Sequence, residues 1–179
     1  MTDARWIEVE DDLEAASRHF ANAASLADDG GFDEEGLPGY RARMALMHAM
    51  QSAHTSLEAA LNRILEILGE EPPVGSNSHA DLVRRVSRAV DRPGHLRPAI
   101  LTPDVSRDVD ESRRFRHRAM HDYDNFEPTL AGPSIEAARR LASRLKPCIA
   151  AFRDRVDPLT PPLADEGGRP ERSAGTPKE

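Results

Sequence analysis

The sequence predicts an all-α fold, an antiparallel bundle of four to five helices over residues 1–157, followed by a disordered tail over residues 158–179. Three observations predict it. Apolar residues recur at alternating gaps of three and four through most of the chain. No stretch alternates apolar and polar residues as a strand would, and there is no internal repeat. Gly and Pro cluster between the periodic stretches, at Gly30-Gly31, Pro72-Pro73, Pro93-Gly94 and Gly132-Pro133.

Residues 5–28 form the first expected helix, with Trp6, Val9, Leu13, Ala16, Phe20, Ala23 and Ala27 on one seam. Acidic residues crowd its first turns, where the helix dipole favours anions. A second helix is expected from about Pro38 to Leu68, with Met47, Met50, His54, Leu57, Leu61, Ile64 and Leu68 in register. Pro38 suits a first turn, and Gly69 with Pro72-Pro73 ends the run. His54 lies on the apolar seam as a satisfied core histidine or a site residue. Ser78 is placed to cap a short helix reaching about Val90, with His79 and Asp81 in its cap region. Thr102-Pro103-Asp104 starts a further helix, with cap, proline and acid in order. Asp122, Asp124, Asn125 and Pro128 end it, and a loop containing Gly132-Pro133 follows. The last helix spans roughly 134–156 on Ile135, Ala138, Leu141, Leu145, Cys148 and Phe152, with a kink expected at Pro147. Beyond Pro158 the chain is Pro, Gly and charge, too poor in apolar residues to order itself.

Composition narrows the function classes. One cysteine, Cys148, rules out an internal disulfide framework and suits a reducing compartment. The acidic N-terminal stretch lacks the apolar run of a signal peptide. No stretch approaches the roughly 18 apolar residues of a membrane span. A cytoplasmic protein without membrane contact is expected. The net charge of −7 argues against a surface that coats nucleic acid. Arginines concentrate over residues 84–118, so a nucleic-acid site would be local and would lie there.

The densest chemistry lies in Arg113–Asp124, reading R-R-F-R-H-R-A-M-H-D-Y-D. Arg116, His121 and Tyr123 stand as R-x4-H-x-Y. Arg116 continues the line of Val105, Val109 and Ser112, where an apolar or small residue is expected. A charge directed inward costs several kcal/mol unless paired or wetted. Histidine moves protons near neutrality, and arginine grips phosphate oxygens. Together they suit RNA phosphodiester cleavage, where the 2′-hydroxyl is the nucleophile and no metal or other cofactor is needed. Five residues of ideal helix separate Arg116 from His121 by about 140°. Either the helix loosens near His121, or residues of two chains combine. A metal site built on His117, His121 and Asp124 is a competing arrangement without an evident further ligand. Arg113, Arg114 and Arg118 either hold a phosphate backbone or pair with Asp108, Asp110 and Glu111 at helical spacing.

The segment R-H-R-A-M-H-D-Y, residues 116–123, resembles the R-x4-6-H motif of HEPN domains, and more closely the R-x4-H-x-Y form of HepT-type toxins. The flanking H-A-D-L at 79–82 and the R-F-R-H run at 114–117 fit the same branch, and the resemblance covers roughly residues 40–156. It implies a helical-bundle homodimer with the two motifs meeting at a cleft between the chains, where RNA is cleaved without a metal. Arg116 would stabilise the scissile phosphate, and His121 would be the general acid or base. His117 and Arg113 would be supporting residues. Tyr123 matches the tyrosine that a partner, a minimal nucleotidyltransferase antitoxin, modifies with AMP to silence the toxin. The alternative within the family is a non-catalytic HEPN partner or regulatory subunit of a nucleotidyltransferase.

Overall fold

The computed structural model describes residues 4–121 and 128–157, except for the side chains of His95 and of residues 116–121 and 128–130. The expected tail over 158–179 lies outside the described residues. Among the described residues, five helices and one small hairpin follow in order: α1 (Ala4–Asp29), α2 (Leu37–Ile67), α3 (Ser78–Val86), β1 (Val90–Arg92), β2 (His95–Arg97), α4 (Pro103–His121) and α5 (Pro128–Val156). The all-α expectation holds, and the predicted seams are the buried ones. Trp6, Val9, Leu13, Ala16, Phe20 and Ala23 are buried on α1. Met47, Met50, His54, Leu57, Leu61 and Ile64 are buried on α2. Side chains three and four apart share one helix face, so each seam closes on its neighbour.

The bundle is a ring of four long helices. α1 packs against α2 and α5, α4 packs against α5, and α2 meets α4 to close the circle. Charged pairs across the seams show the directions. Arg63 near the end of α2 reaches Glu8 and Asp12 near the start of α1. Asp28 near the end of α1 meets Arg139 early in α5 at 2.9 Å, and Trp6 Nε1 donates to Asp157 at 3.0 Å. Asp104 and Asp108 of α4 meet Arg144 and Arg140 of α5. Each of these neighbours therefore runs antiparallel.

Three boundaries differ from the sequence reading. α3 stops at Val86, and its N-cap is Asn77, so Ser78 is already helical. Val90 lies instead in β1, which pairs antiparallel with β2 through Val90–Arg97, Asp91–Leu96 and Arg92–His95. Pro93 and Gly94 turn this hairpin, and Gly94 takes the positive φ of 80° that glycine tolerates. α5 begins at Pro128, so Gly132-Pro133 is helix rather than loop. Pro128 fits a first helical position, where its missing N–H is not needed. Ala131 and Ser134 hold the early turns down, the first buried in the core and the second bonded to Glu111. α5 continues through Pro147 to Val156.

Arg97 is a feature that periodicity did not signal. It is 3% exposed, yet charged. Glu70 binds it through Nε and Nη2, and the carbonyls of Arg85, Arg88 and Pro98 accept its remaining N–H groups. The pair anchors the hairpin to the chain that leaves α2.

The helix-to-helix carboxylates give stability a pH dependence. The hydrogen bond from Lys146 holds Glu14 below its ordinary value, and that from Arg139 does the same for Asp28. Burial, with Arg18 and His48 adding, pushes His19 down. Every one of these folded values lies below the unfolded one, so the unfolded chain takes up protons first as pH falls. Stability is therefore full above the unfolded values. It declines from about pH 6.5 through His19 and further below about pH 4.5 through the carboxylates. Thermal melts between pH 8 and 3 should show the midpoint falling only towards acid. A midpoint that rises as pH drops from 7 to 5 would refute this account.

Candidate functional site

α4 carries the dense segment, and its first turns are built as the sequence implies. Thr102 accepts the N–H of Ser106 at its carbonyl, and Pro103 opens the helix. The Thr102 hydroxyl, with the backbone N–H groups of Asp104 and Val105, keeps the Asp104 carboxyl below its ordinary value. Val105, Val109, Ser112 and Phe115 form the buried face. The backbone of Arg116, His117 and His121 lies in the last turns of this helix, within a continuous run to His121. The side chains of these three residues, and Tyr123 altogether, lie outside the described residues.

The flanks of α4 are held by charge. Arg113 donates from both Nε and Nη2 to Asp110, at 2.9 and 2.8 Å. Arg114 donates to the other oxygen of Asp110 at 2.8 Å and lies 3.7 Å from Glu111. The expected i, i+3 and i, i+4 pairs to Asp110 and Glu111 are therefore formed, while Asp108 pairs with Arg140 instead. Arg140 donates from Nε and Nη2 to the nearly buried Asp108 and is raised above its ordinary value by that bond.

Between α3, α4 and α5 runs a groove of about 1150 Å³ whose lining includes Arg114, two residues before Arg116. Six arginines line it against five carboxylates. Near-balance of charge, with Arg140 and Arg144 paired across it and Arg114 paired along α4, makes this groove a laced helix face rather than a phosphate track.

The other side of α4 carries an arrangement that the sequence displayed only in part. His54 of α2 is 1% exposed and Ser112 of α4 is fully buried. His54 Nε2 and Ser112 Oγ are 2.7 Å apart, and Ser112 Oγ also lies 3.2 Å from the Val109 carbonyl. The Phe20 ring meets the imidazole edge-on, with centroids 6.3 Å apart. His54 Nδ1 faces Glu58 Oε1 at 3.8 Å, which is ion-pair range but too long for a hydrogen bond, so that buried nitrogen makes none. Glu58 is 2.6 Å from His79 Nδ1 of α3. His54 is thus held in the core through one nitrogen. Its seam position was readable, whereas its partner, 58 residues away, was not.

Among the described residues, no group of three or more His, Cys, Asp or Glu side chains stands close enough to hold a metal ion. The His117, His121 and Asp124 set falls outside them. Also among the described residues, no helix is long and apolar enough to cross a membrane.

A ring of four antiparallel helices, with a cationic and histidine-bearing segment in the last turns of one of them, makes this an all-α bundle. Comparison of the sequence with family models gives a match over residues 45–156 to the family described as HepT-like protein, well over half of the chain. The chain belongs to the HepT-like family. Comparisons with curated proteins and with solved structures give no match.

Proposed function

We propose that the protein is the toxin of a HEPN and minimal-nucleotidyltransferase pair, a metal-independent endoribonuclease acting as a homodimer. The observation that carries the reading is the R-x4-H-x-Y motif of Arg116, His121 and Tyr123 in a chain of the HepT-like family, with the backbone of Arg116 and His121 in the last turns of α4. Two copies of α4 across a dimer cleft would supply the Arg and His of one site.

The chemistry follows from the residue types. The ribose 2′-oxygen attacks the adjacent phosphorus, and the bond from phosphorus to the 5′-oxygen breaks. One product ends in a 2′,3′-cyclic phosphate and the other in a 5′-hydroxyl. His121 takes the 2′-hydroxyl proton, or gives one to the leaving 5′-oxygen. Arg116 stabilises the extra charge on the phosphoryl oxygens. His117 and Arg113 support the site, Arg113 while paired with Asp110. No cofactor enters this reaction. The test is cleavage of a mixed single-stranded RNA pool by purified protein in EDTA. Metal-independent cleavage that yields cyclic phosphate ends is expected. No cleavage by folded dimer would leave the non-catalytic partner of a nucleotidyltransferase as the function.

Silencing is assigned to Tyr123. An AMP group on its phenol adds bulk and negative charge beside the catalytic pair, repelling RNA phosphates. Tyr123→Phe is expected to remain a toxin and to resist the partner nucleotidyltransferase with ATP. Mass spectrometry should show an added AMP on wild type and none on the variant. Normal silencing of Tyr123→Phe would remove that residue from the regulation.

A further inference from the structure

We propose that His54 and Ser112 are positioning residues for the nuclease site, fixing how α4 is rotated against α2 and so where Arg116 stands. The inference rests on the nuclease reading given above. His54 and Ser112 are both buried, are 2.7 Å apart, and join the middle of α2 to the middle of α4. Arg116 follows Ser112 by four residues, one helical turn. On an α-helix that is about 6 Å along the axis and within about 40° of the same line. A change in the rotation of α4 at Ser112 is therefore passed to the backbone of Arg116 almost undiminished.

Stability alone does not explain why these two residues occupy the core. A buried neutral hydrogen bond contributes only about 1 kcal/mol net, and two apolar groups of the same shape do nearly as well. Here the pair also leaves the buried His54 Nδ1 without a hydrogen bond to the protein, with Glu58 Oε1 at 3.8 Å. Apolar packing holds helices together but tolerates small rotations and repacking. A hydrogen bond is directional, and this one selects a single rotation of α4. Its acceptor and donor are further constrained. The Phe20 edge fixes the imidazole plane, and the Val109 carbonyl fixes the Ser112 hydroxyl.

Of the other contacts of α4, Ser134 of α5 donates to Glu111 and Ser87 is hydrogen-bonded to Ser106 nearer the start of the helix, whereas Ser112 stands one turn before Arg116 on nearly the same line. Asp104–Arg144 and Asp108–Arg140 lie on the α5 side, and half-exposed arginine side chains follow a rotating helix by changing rotamer. Ser112 has one rotatable side-chain bond and is fully enclosed.

The experiment uses the full-length chain with the double substitution His54→Phe and Ser112→Ala, beside His54→Gln alone. The double variant replaces both polar partners with apolar groups, so folding is expected to survive. Three readouts are taken: the melting midpoint, hydrogen–deuterium exchange of the amides in 113–121, and kcat and KM for the RNA pool in EDTA. The midpoint is expected to change little. Exchange over 113–121 is expected to quicken about tenfold, while α1 and the first half of α2 stay as in wild type. The kcat is expected to fall between about 10-fold and 100-fold, the scale for misplacement of roughly 1 Å, with KM nearly unchanged. His54→Gln, whose amide nitrogen reaches the place of Nε2, is expected to recover most of kcat.

Wild-type exchange together with wild-type kcat in the double variant overturns the proposal. So does a loss of kcat that tracks a loss of folded protein and is not recovered by His54→Gln. If wild type itself cleaves no RNA, the exchange data decide separately. Faster exchange over 113–121 keeps the positioning of α4 while the nuclease reading falls, and unchanged exchange removes both.

Discussion

Purified His121→Ala protein is expected to fold as wild type does and, on the proposed mechanism, to lose RNA cleavage in EDTA by about 10²- to 10⁴-fold, the range for removing a general acid–base. The substitution falls on the last residue of α4, more than one turn beyond the buried face at Val109, Ser112 and Phe115. Circular dichroism and the melting midpoint check that first condition, and the rate of RNA loss checks the second. Arg116→Ala should lose cleavage to a similar degree through the phosphate rather than the proton. Equal cleavage by His121→Ala and wild type would remove the proton-transfer assignment. Unfolding of Arg116→Ala would mark that arginine as structural.

Glu70→Gln is expected to be among the most damaging single substitutions for stability. It keeps the shape of the side chain but strands the Arg97 charge, which is 3% exposed and otherwise faces only carbonyls. An uncompensated buried charge costs about 3–5 kcal/mol. For a chain of this length that lowers the melting midpoint by roughly 6–20 °C. Replacing both partners, Glu70→Leu with Arg97→Met, should recover most of the loss, because an apolar pair of similar volume is often as stable as a buried ion pair. A Glu70→Gln midpoint within about 2 °C of wild type would show that the three carbonyls suffice to hold Arg97.

The long helices were legible because each carries its own evidence. Trp6 to Ala23 and Met47 to Ile64 repeat every three or four residues, and the side facing the core follows from that spacing alone. What was missed depends on partners distant in sequence. Arg97 reads as a loop arginine until Glu70, 27 residues earlier, is placed against it. His54 reads as a seam histidine until Ser112 closes on it. The hairpin has strands of three residues, too short to display a period of two. The start of α5 was misjudged because Pro128 and Gly132-Pro133 look like punctuation, whereas Ala131 packing and the Ser134–Glu111 bond hold those turns in a helix. For the site, the sequence supplied the residue types, their spacing and the helix that bears them. In the proposed site, the way Arg116 and His121 would approach one substrate depends on the end of α4 and on a second copy of the chain. Neither is encoded in the spacing within one helix.

The contact between Trp6 and Asp157 has a consequence for how the protein is made. These residues lie 151 positions apart, and α1 needs α5 as one of its two helix neighbours. During synthesis α1 and α2 can pair as soon as both have left the ribosome, but one apolar flank of α1 stays uncovered until α5 arrives. α4, with the segment from Arg113 to His121, waits for the same helix. A nascent chain therefore carries the Arg116 and His121 segment for some time before it has the scaffold that holds it. The chain has a single tryptophan, and its burial against α5 makes its fluorescence a direct clock for that last step.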